Sequence, residues 1–174
     1  MSLFIVDVES DGGIQGHHNM VCFGAIKLTD DLETAPTFYG QIKPMFEYYE
    51  PAALAVSGFS REEHETFDDP VKVMADFAVW LKEHSKNRPI LISDNNGYDA
   101  AWINWYFLKY YGKNPFGWSS RRIGDLYCGM MKDMWSGWKK LRVTKHTHHP
   151  VDDARGNAEA LLKMKEMGLK IDTK

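Results

Sequence analysis

Cysteine, long apolar runs and excess positive charge are all scarce in this chain of 174 residues. The two cysteines, Cys22 and Cys128, do not form a C-x-x-C motif, so we expect reduced thiols in a cytoplasmic protein. No uncharged apolar run is long enough to span a bilayer, and the acidic first segment is unlike a signal peptide, so we expect no membrane partner. The net charge of −3 does not indicate a polyanion partner, and any nucleic-acid contact must come from a local basic patch.

Repeats, low-complexity tracts and linkers are also absent from the sequence, so we expect one domain over residues 1–174. Three strand-like segments come first along the chain. Helical segments then alternate with strand-like segments at 89–93 and near 122–126. This order predicts an α/β fold, in which a mixed central sheet of about five strands, the first three antiparallel, is flanked by helices.

The first segment, 3–9 (LFIVDVE), is apolar on both faces of a strand and ends in two acids. Because alternate side chains of a strand share a face, Asp7 and Glu9 are expected to point the same way. Two carboxylates at the end of a central strand would repel each other and lose hydration, and a bound cation relieves both costs. Oxygen ligands suit Mg²⁺ or Mn²⁺. The alternative is that both acids lie in solvent at a strand end.

Two later acids, Asp99 and Asp153, stand at predicted helix starts. Taken singly, each is explained by the helix dipole, which favours an acid in the first turn. Taken together with Asp7 and Glu9, they provide the ligand set for two divalent ions at one sheet edge.

His148 precedes Asp153 by five residues, and its imidazole is a candidate general base for an attacking water. The alternative is a surface histidine within the cluster 146–149 (HTHH). That cluster also suggests zinc, which we discount because no cysteine or second histidine group has structural zinc spacing with it.

Three motifs in order resemble those of the DEDDh exonucleases. Residues 7–9 (DVE) match the family's D-x-E strand, 95–99 (NNGYD) match its N-x-x-[FY]-D segment, and 148–154 (HHPVDDA) match H-x-A-x-x-D-A. Pro150 stands where the family usually has Ala, and the spacing to Asp153 selects His148 as the motif histidine. The resemblance covers nearly the whole chain and is closest to short bacterial and phage members grouped with 3′-5′ exoribonucleases.

The resemblance implies a ribonuclease-H-like fold, two Mg²⁺ or Mn²⁺ ions and hydrolysis from a 3′ end that releases nucleoside 5′-monophosphates. Asp7 would bridge both ions, Glu9 and Asp153 would complete the site of the ion that activates water, and Asp99 would hold the other ion through waters. His148 would be the general base. The expected substrate is single-stranded RNA or DNA, or a 3′ overhang, with RNA slightly favoured.

Substrate contacts are predicted from a basic run that leads into the His148 segment: Lys139, Lys140, Arg142 and Lys145. These side chains are expected to contact backbone phosphates, although a charge run is also typical of a solvated face. Phe59 is expected either to meet the terminal bases or to pack in the core. Backbone groups of Ser10 and Glu9 are expected to hold the terminal 3′-OH.

Two alternatives to the exonuclease stay open at this stage. One is a catalytically weak nucleic-acid-binding module on the same fold, and the other is a phosphodiesterase for short oligonucleotides. The family resemblance also implies a homodimer, for which the aromatics Trp135 and Trp138 are the candidate interface.

Overall fold

A five-stranded mixed sheet lies at the centre of the protein. In the computed structural model, which describes residues 1–173, the strands are β1 Ser2–Ser10, β2 Met20–Lys27, β3 Thr37–Gln41, β4 Pro89–Ser93 and β5 Ser120–Arg122. Their order is β3-β2-β1-β4-β5. β1 is antiparallel to β2 and β2 to β3, whereas β4 is parallel to β1 and β5 is parallel to β4. The predicted mixed sheet with three antiparallel strands first is confirmed.

Helices cover both faces of this sheet. They are α1 Pro51–Val56, α2 Arg61–Glu65, α3 Pro70–Glu83, α4 Asp99–Tyr106, α5 Ile123–Met131 and α6 Pro150–Glu166. α4 continues as a π-helical turn over Phe107–Tyr111, and Lys139–Leu141 form a 3-10 turn. One apolar core lies between the sheet and α3 and α4, and a second lies between the sheet and α5 and α6.

β1 is central because it contributes to both cores. Phe4, Val6 and Val8 pack in the core beneath α3 and α4, whereas Ile5 packs in the core beneath α6. Side-chain alternation therefore directs Asp7 and Glu9 toward the face that α6 covers. This topology brings the carboxyl end of β1 and the beginning of α6 to the same place.

Helix starts follow local signals in the sequence. Ser60 and Glu63 form a reciprocal capping box at α2, and the Asp69 carboxylate accepts a hydrogen bond from the Val71 N–H ahead of α3.

Two sequence expectations differ from the structure. The last strand ends at Arg122 and α5 begins at Ile123, so residues 123–126 are helical rather than extended. The reason is that Ile123 and Tyr127, four residues apart, both enter the core beneath α6. Trp138, predicted at an exposed interface, is only 5% exposed and packs in the same core, whereas Trp135 is 92% exposed.

Among residues 1–173, no helix is both long enough and apolar enough to cross a membrane. Cys22 and Cys128 are free thiols, and the first of them is buried.

Gly24 lets α6 approach the sheet directly above the acidic end of β1. It pairs with Asp7 across the β1–β2 ladder, and directly paired residues project to the same face. A Cβ atom at this position would lie 2.4 Å from the Pro150 carbonyl carbon and 2.4 Å from the Val151 nitrogen. Because both are backbone atoms, a side chain here would displace the first turn of α6.

We expect Gly24→Ala to lower the free energy of unfolding by about 1–3 kcal/mol, the usual cost of overpacking a close contact. Urea denaturation of the wild type and the variant measures this difference. The control is Gly129→Ala within α5, where an added Cβ meets no atom within 4 Å and helix propensity favours alanine. Equal stability of Gly24→Ala and the wild type would show that α6 can move at no cost.

Candidate active site

Three carboxylates meet where β1 passes beneath the first turn of α6. Asp7, Glu9 and Asp153 each offer an oxygen atom, and these atoms lie within 4.8 Å of one another. Glu9 is 9% exposed and Asp153 is fully buried. Strand alternation supplies the first two acids and the helix start supplies the third. An oxygen-only donor set of this kind fits Mg²⁺ or Mn²⁺.

Asp99 is a fourth buried acid beside this group. It is the first residue of α4, directly after the turn that follows β4, and its Oδ2 accepts a hydrogen bond from the Asn95 N–H at 3.1 Å. Its negative charge is the largest of the charge effects that raise the pKa of Asp7. The structure thus brings all four predicted acids to one end of β1.

These acids destabilise one another when they are ionised. Burial raises the pKa of Asp7 well above its ordinary value, and the charges of Asp99, Asp153 and Glu9 raise it further. Burial also raises the pKa of Glu9 to about 6 and the pKa of Asp99 to about 7. A divalent cation would offset both the lost hydration and the mutual repulsion, so the electrostatics of the site fit the metal that its donor atoms suit.

His148 stands at the open side of this acidic group. Its side chain is 50% exposed, and its Nδ1 lies 3.5 Å from Glu9 Oε1. Its backbone is left-handed, with φ of +60°, which is uncommon for a residue other than glycine. Asp153 stabilises that turn, because its Oδ2 accepts the His148 N–H at 2.9 Å and its Oδ1 accepts the Thr147 N–H at 3.3 Å.

Arg142 has a different place from the one predicted. Its side chain is only 9% exposed, and its Nη2 donates to Asp153 Oδ1 at 2.7 Å. Its Nε donates to the Thr144 carbonyl at 3.3 Å. The expectation that Arg142 contacts substrate phosphates is therefore corrected: its donors are directed at a candidate metal ligand and at the backbone.

We name the segment 142–149 the histidine strap. Besides its contacts with Asp153, it is hydrogen-bonded to a second residue of α6, Glu159. The Glu159 carboxylate accepts the N–H groups of Val143 and Thr144 at 2.8 and 2.7 Å, and also the Thr144 hydroxyl at 2.7 Å. Gly156 leaves room for the guanidinium of Arg142, because a Cβ there would lie 2.6 Å from its Nε. Sequence reasoning missed these supports. The sequence features that could have indicated them are Gly156 and Glu159, three and six residues after Asp153.

The remaining basic residues of the predicted run are at the surface. Lys139 Nζ lies 3.0 Å from Asp94 Oδ2, and Lys140 and Lys145 are exposed. All three side chains are accessible to a ligand.

Ser10 and Phe59 both have packing or hydrogen-bond partners within the chain. The buried Ser10 hydroxyl donates to the Gly12 carbonyl and lies 2.5 Å from the Tyr98 hydroxyl. Phe59 is half-buried and packs against the small cluster formed by Val21, Cys22 and Leu54.

No protein-family model matches this chain. The chain is 32% identical over 164 residues to the 3′-5′ DNA exonuclease Cap18 of Escherichia coli, an alignment that covers 88% of this chain and 86% of that protein.

Two solved structures show the fold. The nuclease domain of 3′hExo, a DEDDh family member bound to rAMP, has a TM-score of 0.77 at 17% identity, covering 98% of this chain and 94% of that one. E. coli Exonuclease I in complex with a dT13 oligonucleotide has a TM-score of 0.67 at 18% identity. That similarity covers 95% of this chain and 40% of Exonuclease I.

We expect Glu9→Gln to stabilise the metal-free protein, and more so at high pH. The pKa of Glu9 rises from 4.5 to about 6 on folding. Both states hold the proton at low pH, and the unfolded chain loses it first as the pH rises. The penalty on the folded state therefore develops between pH 4.5 and about 6 and is complete above that range.

The free energy of unfolding of Glu9→Gln minus that of the wild type should thus grow by on the order of 2 kcal/mol across this range. Urea denaturation in EDTA at a series of pH values measures it, with exposed Glu47→Gln as the control. A difference that stays constant with pH would contradict the raised pKa of Glu9.

Proposed function

This chain belongs to the DEDDh family of 3′-5′ exonucleases, and we propose that it removes nucleotides from the 3′ end of single-stranded nucleic acid, releasing nucleoside 5′-monophosphates. The observation that carries the proposal is the convergence of Asp7, Glu9 and Asp153, with His148 3.5 Å from Glu9. The acids and the histidine that hydrolysis needs are present together in this member of an exonuclease family, which disfavours the alternative of a catalytically weak binding module.

We assign the four acids to two Mg²⁺ or Mn²⁺ ions. Asp7, Glu9 and Asp153 would hold these ions together with the neighbouring Asp99. Such ions, when bound, neutralise the phosphate and stabilise charge on the attacking and leaving oxygens. The raised pKa values of Asp7, Glu9 and Asp99 support the assignment, because burial and neighbouring carboxylates disfavour the ionised forms and a cation would relieve both effects.

His148 accepts the proton of the attacking water in this proposal. Its half-exposed ring can reach a solvent molecule, and the Glu9 carboxylate 3.5 Å from Nδ1 stabilises the imidazolium that results. The backbone N–H of His148 is bound to Asp153, so the base and a proposed metal ligand are fixed relative to each other.

Substrate contacts are assigned to the accessible groups beside the acids. Lys139, Lys140 and Lys145 are proposed to bind backbone phosphates of a single strand or a 3′ overhang. Phe59 is proposed to meet the terminal bases, and backbone groups of Ser10 and Glu9 to hold the 3′-OH. Arg142 is left out of this set because it is committed to Asp153.

The slight preference for RNA predicted from the sequence stays untested. The 32% identical E. coli protein is named a DNA exonuclease. Of the structural neighbours, 3′hExo holds rAMP and Exonuclease I holds dT13. On balance we propose that single-stranded DNA is the better substrate, and a direct comparison with RNA decides the question.

Residues 1–174 form a single exonuclease domain in this proposal, with a cytoplasmic location consistent with two free cysteines. A homodimer also remains a proposal. Its interface cannot use the buried Trp138, whereas Trp135 is exposed.

Digestion of 5′-labelled single-stranded DNA and RNA of one sequence should give ladders that shorten from the 3′ end with Mg²⁺ or Mn²⁺. EDTA should abolish cleavage. Asp7→Ala should lower the rate by more than ~100-fold, beyond the range for loss of an outer-shell partner, and should leave the circular dichroism spectrum unchanged. Cleavage at the wild-type rate by a folded Asp7→Ala sample would refute the site.

His148→Ala should lower kcat by about 10²–10⁴-fold, the usual contribution of a general base, with little change in affinity for the strand. Single-turnover rates and fluorescence anisotropy in Ca²⁺ separate the two quantities. His149→Ala, one residue along the chain, is the matched control. Parallel losses of rate and affinity in His148→Ala would remove this residue as the base.

A further inference from the structure

A second group of metal-ligating atoms lies on the open side of the acids. It comprises one ring nitrogen each from His146 and His148 and one oxygen from Asp153, all within 4.8 Å of one another. His146 Nδ1 lies 3.6 Å from Asp153 Oδ2, and the two imidazole rings are 4.3 Å apart at 78°. Asp153 is common to both groups, but here two of the three donors are nitrogen.

The donor chemistry of this group selects zinc over magnesium. Imidazole nitrogen is a preferred ligand of Zn²⁺, whereas Mg²⁺ prefers an all-oxygen shell. Zinc bonds of about 2.0–2.1 Å at tetrahedral angles place ligand atoms roughly 3.4 Å apart, close to the separation of His146 Nδ1 and Asp153 Oδ2. Three protein ligands leave a fourth position open, as in zinc sites that exchange their ligand or their ion.

The histidine strap presents the two nitrogen donors to solvent, whereas Asp153 is buried. Asp153 Oδ1 accepts from both Arg142 and the Thr147 N–H, whereas Oδ2 accepts from the His148 N–H and lies 3.6 Å from His146 Nδ1. The side chains of His146 and His148 are 48% and 50% exposed, so a hydrated ion can reach them and the rings can adjust. The sequence analysis discounted zinc at residues 146–149 because no cysteine or second histidine group had the required spacing; the third ligand here is instead an aspartate from α6.

We propose that His146, His148 and Asp153 bind one zinc ion, and that bound zinc inhibits the nuclease activity. Zinc would occupy the nitrogen lone pair with which His148 takes a proton and an oxygen of Asp153. The inhibitory half rests on the proposed function of these two residues, whereas zinc binding does not. His146 takes no part in the proposed hydrolysis, so it allows the zinc site to be removed by itself.

Isothermal titration of Zn²⁺ in a fixed concentration of Mg²⁺, which competes for Asp153 to the same extent in every variant, tests binding. We expect one ion per chain for the wild type and an affinity at least ~10-fold weaker for His146→Gln. The matched control is His149→Gln, since that side chain is also 48% exposed but lies beside Asp152 instead. Equal affinity of the wild type and His146→Gln would overturn the site.

Activity in Mg²⁺ with added Zn²⁺ tests the inhibition. Zinc should slow the wild type and His149→Gln, a zinc-selective chelator should restore both, and His146→Gln should resist zinc while cleaving normally without it. Inhibition of His146→Gln at the same zinc concentration as the wild type would overturn the mechanism. An absence of cleavage before zinc is added would instead refute the proposed function, and the titration would still decide the binding site.

Discussion

The carboxylate of Asp153 holds together the part of the molecule on which the site depends. Fully buried, it accepts hydrogen bonds from the Arg142 guanidinium and from the N–H groups of Thr147 and His148. A buried carboxylate without such partners would be strongly destabilising, so the interaction fixes both the helix start and the chain that leads into it. The left-handed backbone of His148 follows from the same hydrogen bonds.

A stable core surrounds a locally unfavourable site. Apolar side chains pack against both faces of β1, and this packing can offset the cost of burying the carboxylates of Asp7, Glu9 and Asp99 beside one another. This electrostatic cost lowers the stability of the metal-free protein. Because a bound cation would relieve it, the same cost favours cation binding. Gly24 contributes to the same compromise, because the close approach of α6 that it permits brings Asp153 to the other acids.

The sequence predicted those features that depend on local pattern. Alternation along β1 gave the common face of Asp7 and Glu9, and the three motifs gave the family. Features that depend on which elements meet in space were not predictable. Arg142 was placed in a basic patch because charge patterning does not reveal that its guanidinium is buried over Gly156. The boundary of β5 shifted because pairing with β4 and the core beneath α6 override local propensity.

Two carboxylates of α6, Glu159 and Asp153, hold the histidine strap, so the strap loses its conformational entropy when the chain folds. Residues 142–149 contain no regular secondary structure, and a surface loop of this kind is usually more mobile than the elements it connects. Here Glu159 holds the strap at Val143 and Thr144, and Asp153 holds it at Thr147 and His148. The backbone that carries His148 is thereby preorganised when the chain folds, and a nucleic-acid strand would not have to spend binding energy on ordering it.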